Sequence, residues 1–218
     1  MSKLKLALFD MDGLMVDSER VYYECWKQTL QTYGEDITLE EYIGYCGVRY
    51  DETRVLFQQR RPWFDRYEES EQKSNDVFMK AVDAGIPLKP GLTELLDCLD
   101  EKGITEIIVS SSSNEHVERL LKPLGIRGRF AGVVGGMKVR RAKPAPDIFL
   151  LAAETYGAEP EECIVFEDSL AGIKASVAAG IPVICVPDMT PVPEELAKQC
   201  YAVCPTLADA APLLDAFD

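Results

Sequence analysis

Apolar residues fall into two different rhythms along this chain. Short continuous apolar runs occur at Leu4–Phe9, Ile104–Val109, Gly132–Val134, Cys163–Phe166 and Pro182–Val186. Runs of this length without polar alternation predict strands buried on both faces. Between them lie segments of helical period: Leu92–Lys102, Glu115–Leu124, Pro146–Tyr156 and Ser169–Ala179, followed by Gly103, Gly125, Gly157 and Gly180. Glycine just past the last periodic residue stops a helix, and proline suits a first turn. Strand and helix in alternation predict an α/β fold, a Rossmann-like parallel sheet core flanked by helices. Right-handed crossovers then bring the strand C-termini to one edge, where open α/β sheets bind ligands.

One stretch interrupts this rhythm. From about Asp17 to Ala84 the period is helical throughout, rich in Tyr, Gln and Glu and nearly free of β-branched runs. It predicts four or five helices inserted after the first strand. The breaks on either side are Asp10-Met-Asp-Gly13 and Gly85-Ile-Pro-Leu-Lys-Pro-Gly91. Residues 1–16 and 85–218 are therefore expected to form the core, and 17–84 an inserted α-helical domain.

Unusual polar residues follow each strand. Asp10 and Asp12 follow the first, Ser110 to Asn114 the second, and Glu167 and Asp168 a later one. Each has a plain structural reading, since Asp and Ser favour turns and helix caps. Four carboxylates at one rim, however, repel one another unless a cation joins them. Hard oxygen ligands point to Mg²⁺, which also binds phosphorylated substrates. Ser110 to Ser113, ahead of a helix, offer hydroxyls and free N–H groups to a phosphate. Lys143 ends an island of six cations, Arg127 to Lys143, that contains no acid. That island predicts a positive site for phosphate. Together these groups suit phosphoryl transfer through an aspartyl-phosphate.

Composition narrows the setting. The 218 residues carry a formal charge of −14. Such a surface repels nucleic acid and anionic membranes. No signal-peptide pattern opens the chain, and no apolar run approaches the ~20 residues of a membrane span. The seven scattered cysteines are expected to be reduced thiols, as in a cytoplasmic protein. The expected partner is a small phosphorylated metabolite, with no nucleic acid and no membrane, and the chain is expected to act as a monomer.

Four segments carry a family resemblance. Asp10-Met-Asp-Gly13 with Val16-Asp-Ser-Glu19, Ile108-Val-Ser-Ser-Ser112, Ala142-Lys-Pro-Ala-Pro-Asp-Ile-Phe149 and Phe166-Glu-Asp-Ser-Leu-Ala-Gly-Ile-Lys174 resemble, in order, the four motifs of the haloacid dehalogenase superfamily. The subgroup is similar to the β-phosphoglucomutase-like phosphatases. The resemblance implies that Asp10 is nucleophile and metal ligand. It makes Asp12 the general acid/base, with its carbonyl on the metal. Ser110 and Lys143 would hold the transferred phosphoryl group, and Asp168, beside Glu167, would complete the Mg²⁺ site. It also implies that 17–84 is a cap closing over the site. Substrate contacts are expected from Ser111, Asn114, Tyr22, Gly47 and Arg49, with Arg49 the foremost specificity candidate.

Asp12 argues against the dehalogenase branch, which lacks that second acid. A phosphosugar mutase of the family has a His four residues after a Thr following the first motif. Ser18 and Tyr22 stand there in this chain, which favours hydrolysis. The lone His116 is expected to be a plain surface residue. Receiver-like signalling domains combine similar residues, but at about 100–150 residues they are shorter and carry no such insertion.

Overall fold

Strand β1 (Leu6–Phe9) owes its place at the centre of the sheet to being apolar on both faces. It pairs in parallel with β2 (Thr105–Ser110) on one side and β4 (Cys163–Glu167) on the other. Beyond these lie β3 (Gly132–Gly135), β5 (Val183–Cys185) and β6 (Ala202–Val203), giving the order β3-β2-β1-β4-β5-β6. In this computed structural model residues 3–46 and 50–217 are described. The pairing aligns Phe9 with Ile108 and with Phe166, so the chain leaves all three central strands at one level.

Alternation along each strand sorts side chains into two cores. Ala7, Phe9, Ile108, Ile164 and Phe166 face one side. Leu8, Val109 and Val165 face the other. Phe9 stacks on Phe166 with ring centroids 4.7 Å apart. Helix α5 (Leu92–Lys102) covers the first face, while α7 (Asp147–Thr155) and α8 (Leu170–Ala179) cover the second. Helix α6 (Asn114–Leu121) ends earlier than its apolar period predicts. Pro123, with no N–H to donate, turns its continuation into a 3₁₀ turn over Lys122–Leu124. After β5 come α9 (Glu194–Ala197), β6, α10 (Leu207–Ala210) and a 3₁₀ segment over Ala211–Phe217. These short elements follow the last strand expected from the sequence and are too brief to show a period.

Between β1 and α5 lie α1 (Ser18–Gln31), α2 (Leu39–Ile43), α3 (Tyr50–Arg60) and α4 (Tyr67–Ala84). Tyr23, Trp26, Leu30, Tyr42, Phe57 and Tyr67 belong to a separate aromatic core of this segment. Two strands of backbone join it to the sheet side by side. Asp17 N–H donates to Pro87 O at 2.9 Å, and Lys89 N–H donates to Met15 O at 2.9 Å. Among the described residues no helix is long and apolar enough to cross a membrane. The seven cysteines are free thiols.

Glu106 is the one charged residue placed inward on β2, at the end of the sheet away from Ser110. It is 4% exposed, and its Oε1 is buried without a hydrogen-bond partner. Burial pushes its carboxyl from 4.5 up to about 7, and Asp100 adds to the rise while Arg129 opposes it. The unfolded chain therefore releases this proton near pH 4.5 and the folded chain near pH 7. Its contribution to stability is present below pH 4.5 and is lost as pH rises through 7. Glu106→Gln should then stabilise the protein more at pH 8 than at pH 5. Paired denaturant melts at the two pH values test this, and an equal or smaller gain at pH 8 would contradict the assignment.

Candidate active site

The site gathers where β1, β2 and β4 end. Asp10, the first residue beyond β1, is 8% exposed. The loop after β3 carries Lys143 back to the same point. Its Nζ donates to Asp10 Oδ1 at 2.5 Å, to Glu167 Oε1 at 2.7 Å and to Val109 O at 3.3 Å. The Lys143 side chain is 4% exposed, and its ammonium sits 4.8 Å from the centre of the Phe149 ring. Burial works against that charge, but Asp10 and Glu167 outweigh it and hold the ammonium above its ordinary pKa.

Glu167 is fully buried, and both its oxygens are engaged. Oε2 accepts from Asp168 N–H, Ser169 N–H and the Ser169 hydroxyl at 2.9–3.0 Å. The Ser169 hydroxyl in turn accepts from Gly172 N–H at 3.0 Å and caps α8. Glu167 thus fixes the loop that carries Asp168, with Oε1 turned to Lys143. Gly13, at φ +81°, lets that loop approach, since a Cβ there would lie 2.4 Å from Asp168 Oδ2.

Asp12 is held by two hydroxyls. Ser18 donates to its Oδ1 at 2.8 Å and Ser112 to its Oδ2 at 3.3 Å. Ser110 is 1% exposed, and its Oγ accepts from Ser112 N–H at 3.0 Å, which shapes the turn after β2. Asp10, Asp12, Ser110, Ser111, Lys143 and Asp168 line one cavity of about 610 Å³.

Ligand oxygens of Asp10, Glu167 and Asp168 come within 4.8 Å of one another, so these three could hold a metal ion. All the donors are hard carboxylate oxygens, and Asp168 Oδ1 is buried with no partner. Burial pushes the Asp10 carboxyl up to about 7, with Lys143 opposing and Glu167 adding to the rise. Burial, then Glu167 and Asp10, raise Asp168 as well. One lysine does not balance these acids. A divalent cation of hard-oxygen preference fits the charge excess and the orphaned Asp168 oxygen.

Other expectations need correction. Arg127 pairs with Glu118, Arg129 with Asp97 and Asp100, and Arg141 with Asp147, each within 3.0 Å. The basic run is therefore matched by acids that lie outside it, and Lys138 and Arg140 are exposed. Of its six cations only Lys143 reaches the site. Asn114 is exposed on the first turn of α6, outside the lining of the cavity, with its Oδ1 against Gly135. Gly47 and Arg49 lie outside the described residues.

His116 is not a plain surface residue. It is half-buried and lines a second cavity of about 410 Å³ with Tyr22, Trp26 and Tyr45. Sequence reasoning also missed Glu19, which borders both cavities, and Asp188. Asp188 Oδ1 accepts from Lys89 Nζ at 2.6 Å, while its Oδ2 is buried and unpartnered. The same reasoning that picks acids after strand ends points to Asp188, which follows β5.

Comparison with known proteins gives a consistent picture. The family described as haloacid dehalogenase-like hydrolase matches residues 4–180. A phosphorylated carbohydrates phosphatase from Thermotoga maritima is 26% identical over 98% of this chain and 91% of its own length. The fructose-1-phosphate phosphatase YqaB of Escherichia coli is 31% identical over 82% of this chain and 94% of its own. A HAD family hydrolase from Deinococcus radiodurans, solved with bound phosphate and sodium, superposes with a TM-score of 0.86. It is 26% identical, covering 99% of this chain and 97% of that one.

Gly172 tests how tightly this arrangement is set. A Cβ there would lie 1.6 Å from Glu167 Oε1. Gly172→Ala should destabilise the fold by about 1–3 kcal/mol, the usual cost of overpacking, and lower turnover by displacing Lys143. Denaturant melts and initial rates measure both. Wild-type values for each would mean that α8 shifts without disturbing Glu167.

Proposed function

This chain belongs to the haloacid dehalogenase-like hydrolase family, and we propose that it is a Mg²⁺-dependent phosphatase acting on the phosphate monoester of a small sugar or polyol. The observation that carries this reading is the buried Asp10 carboxylate, bonded to Lys143 and flanked by an Asp12 held by two hydroxyls. The named activities of the carbohydrate phosphatase and of the fructose-1-phosphate phosphatase support the substrate class.

In this reading an Asp10 oxygen attacks phosphorus, and the bond from phosphorus to the alcohol oxygen breaks. Asp12 gives its proton to that departing oxygen. Water then attacks the phosphorus of the aspartyl-phosphate, Asp12 takes up the water's proton, and the bond to Asp10 breaks to release inorganic phosphate. Ser18 and Ser112 keep Asp12 aimed at the departing alcohol oxygen. Lys143 offsets charge on the phosphoryl oxygens, and Ser110 and Ser111 border the space where they would lie. Asp10, Asp168 and the Asp12 carbonyl would hold Mg²⁺, with Glu167 Oε1 beside them. When bound, the ion supplies positive charge that lets the phosphate dianion approach these acids.

The helices of 17–84 would act as a cap. The paired linkers at Met15–Asp17 and Pro87–Lys89 supply its hinge, and closure would keep bulk water from the first displacement.

Asp10→Asn should abolish turnover of a small aryl phosphate while leaving the circular dichroism spectrum unchanged. Residual hydrolysis near the wild-type rate would remove Asp10 from the nucleophile's role. Asp12→Asn should lower kcat by roughly 10²–10⁴-fold, and a near-normal kcat would leave Asp12 structural. Asp168→Asn should weaken Mg²⁺ binding in calorimetric titration without substrate, where an unchanged affinity would place the ion elsewhere.

A further inference from the structure

We infer that Asp188 is a positioning residue for the metal ion, holding it through a bound water on Oδ2, while Oδ1 is tied through Lys89 to the linkers of the inserted helices. This deepens the phosphatase reading above and rests on its metal site.

Backbone contacts bring three segments to one point. Val186 N–H, just beyond β5, donates to Glu167 O at 2.8 Å. That bond lays the chain running on to Asp188 beside the chain running on to Asp168. Gly13, on the turn after Asp10, meets both. A Cβ there would lie 2.4 Å from Asp168 Oδ2 and 3.3 Å from Asp188 Oδ2, so the two carboxylates crowd the same bare glycine. Asp188 also lines the cavity that Asp10, Asp12 and Asp168 line.

The two oxygens of Asp188 have different surroundings. Oδ1 accepts from Lys89 Nζ at 2.6 Å. Lys89 belongs to the second linker, and its Nζ lies 3.6 Å from Asp17 Oδ1 on the first. Oδ2 is buried and has no partner among the described residues, and the whole side chain is only 6% exposed. A buried carboxylate oxygen left without a donor is costly, and such an orphan marks the place of a water or an ion.

Distance separates a direct ligand from an indirect one. Among the described residues, Asp10, Glu167 and Asp168 bring ligand oxygens within 4.8 Å of one another, and Asp188 stands outside that group. Mg²⁺ keeps several of its waters when bound to protein carboxylates. Acceptors beyond the direct ligands orient a metal site by taking hydrogen bonds from such groups. Asp188 Oδ2 is an acceptor of this kind, and its charge adds to the attraction for the ion. Lys89 draws on the same carboxylate from the other side, so the ion and the linkers share Asp188.

Calorimetric titration of the substrate-free protein with Mg²⁺, run beside denaturant melts, tests this. Asp188→Asn keeps the shape and removes the charge, and its Mg²⁺ affinity should fall by roughly 10–100-fold, the usual effect of losing such a partner. Lys89→Met breaks the same ion pair but leaves the Asp188 carboxylate to the ion. Its affinity should rise, because a cation near the metal is gone. Both variants should melt earlier than wild type, so stability does not separate them and affinity does. An unchanged affinity in Asp188→Asn, or an equal fall in both variants, would make the ion pair purely structural and overturn the inference, leaving the phosphatase reading standing. If Asp188→Asn does not fold, Lys89→Met decides, and the absence of a rise overturns the inference. Wild-type protein that takes up no Mg²⁺ would overturn the inference and the metal of the phosphatase reading together.

Discussion

The buried Lys143 ammonium is the interaction around which the site is arranged. It reaches three acceptors on three strand ends: Val109 O on β2, Asp10 beyond β1 and Glu167 on β4. A point charge so deep in the protein is tolerable only because carboxylates face it. Glu167 is the structural half of that arrangement. Its second oxygen collects three donors from the loop opening α8, so one carboxylate ties the lysine to the backbone that carries Asp168. The absence of a side chain at Gly172 leaves Glu167 room to do so.

Charge imbalance then makes the site receptive. Asp10 and Asp168 lie close to Glu167, and a single lysine does not neutralise the three. The unpartnered Asp168 oxygen is one expression of that excess, and the Asp10 carboxyl, raised first by burial, is raised further by Glu167 and Asp12. In the proposed enzyme a divalent cation relieves it and is at the same time the counter-charge for a phosphate dianion. Assembly of the acids and demand for the cation are the same physical fact.

The inserted helices have a core of their own, built on Trp26 stacked against Phe57 and edge-on to Tyr42 and Tyr67. Two paired linkers join that body to the sheet. Among the described residues, the face it turns to Asp12 carries aromatic rings and the carboxylates of Glu19 and Glu71.

Sequence determined the repeating strand–helix frame of this protein, because buried parallel strands must be apolar on both faces and helix ends need Gly and Pro signals. It also determined which acids and serine stand at strand ends, Asp10, Asp12, Ser110, Glu167 and Asp168, and that Lys143 lies in a loop just before a helix opening near the same rim. Only the fold decided how charges are spent. Arg127, Arg129 and Arg141 look like an anion site in sequence, yet each finds an acid in an ion pair that spacing alone does not reveal. His116 reads as an ordinary surface residue in sequence, and in the fold segments distant in sequence enclose a cavity that it lines. Periodicity reports which face of an element is buried. It does not report what that face meets, because the partner is chosen by packing across the whole chain.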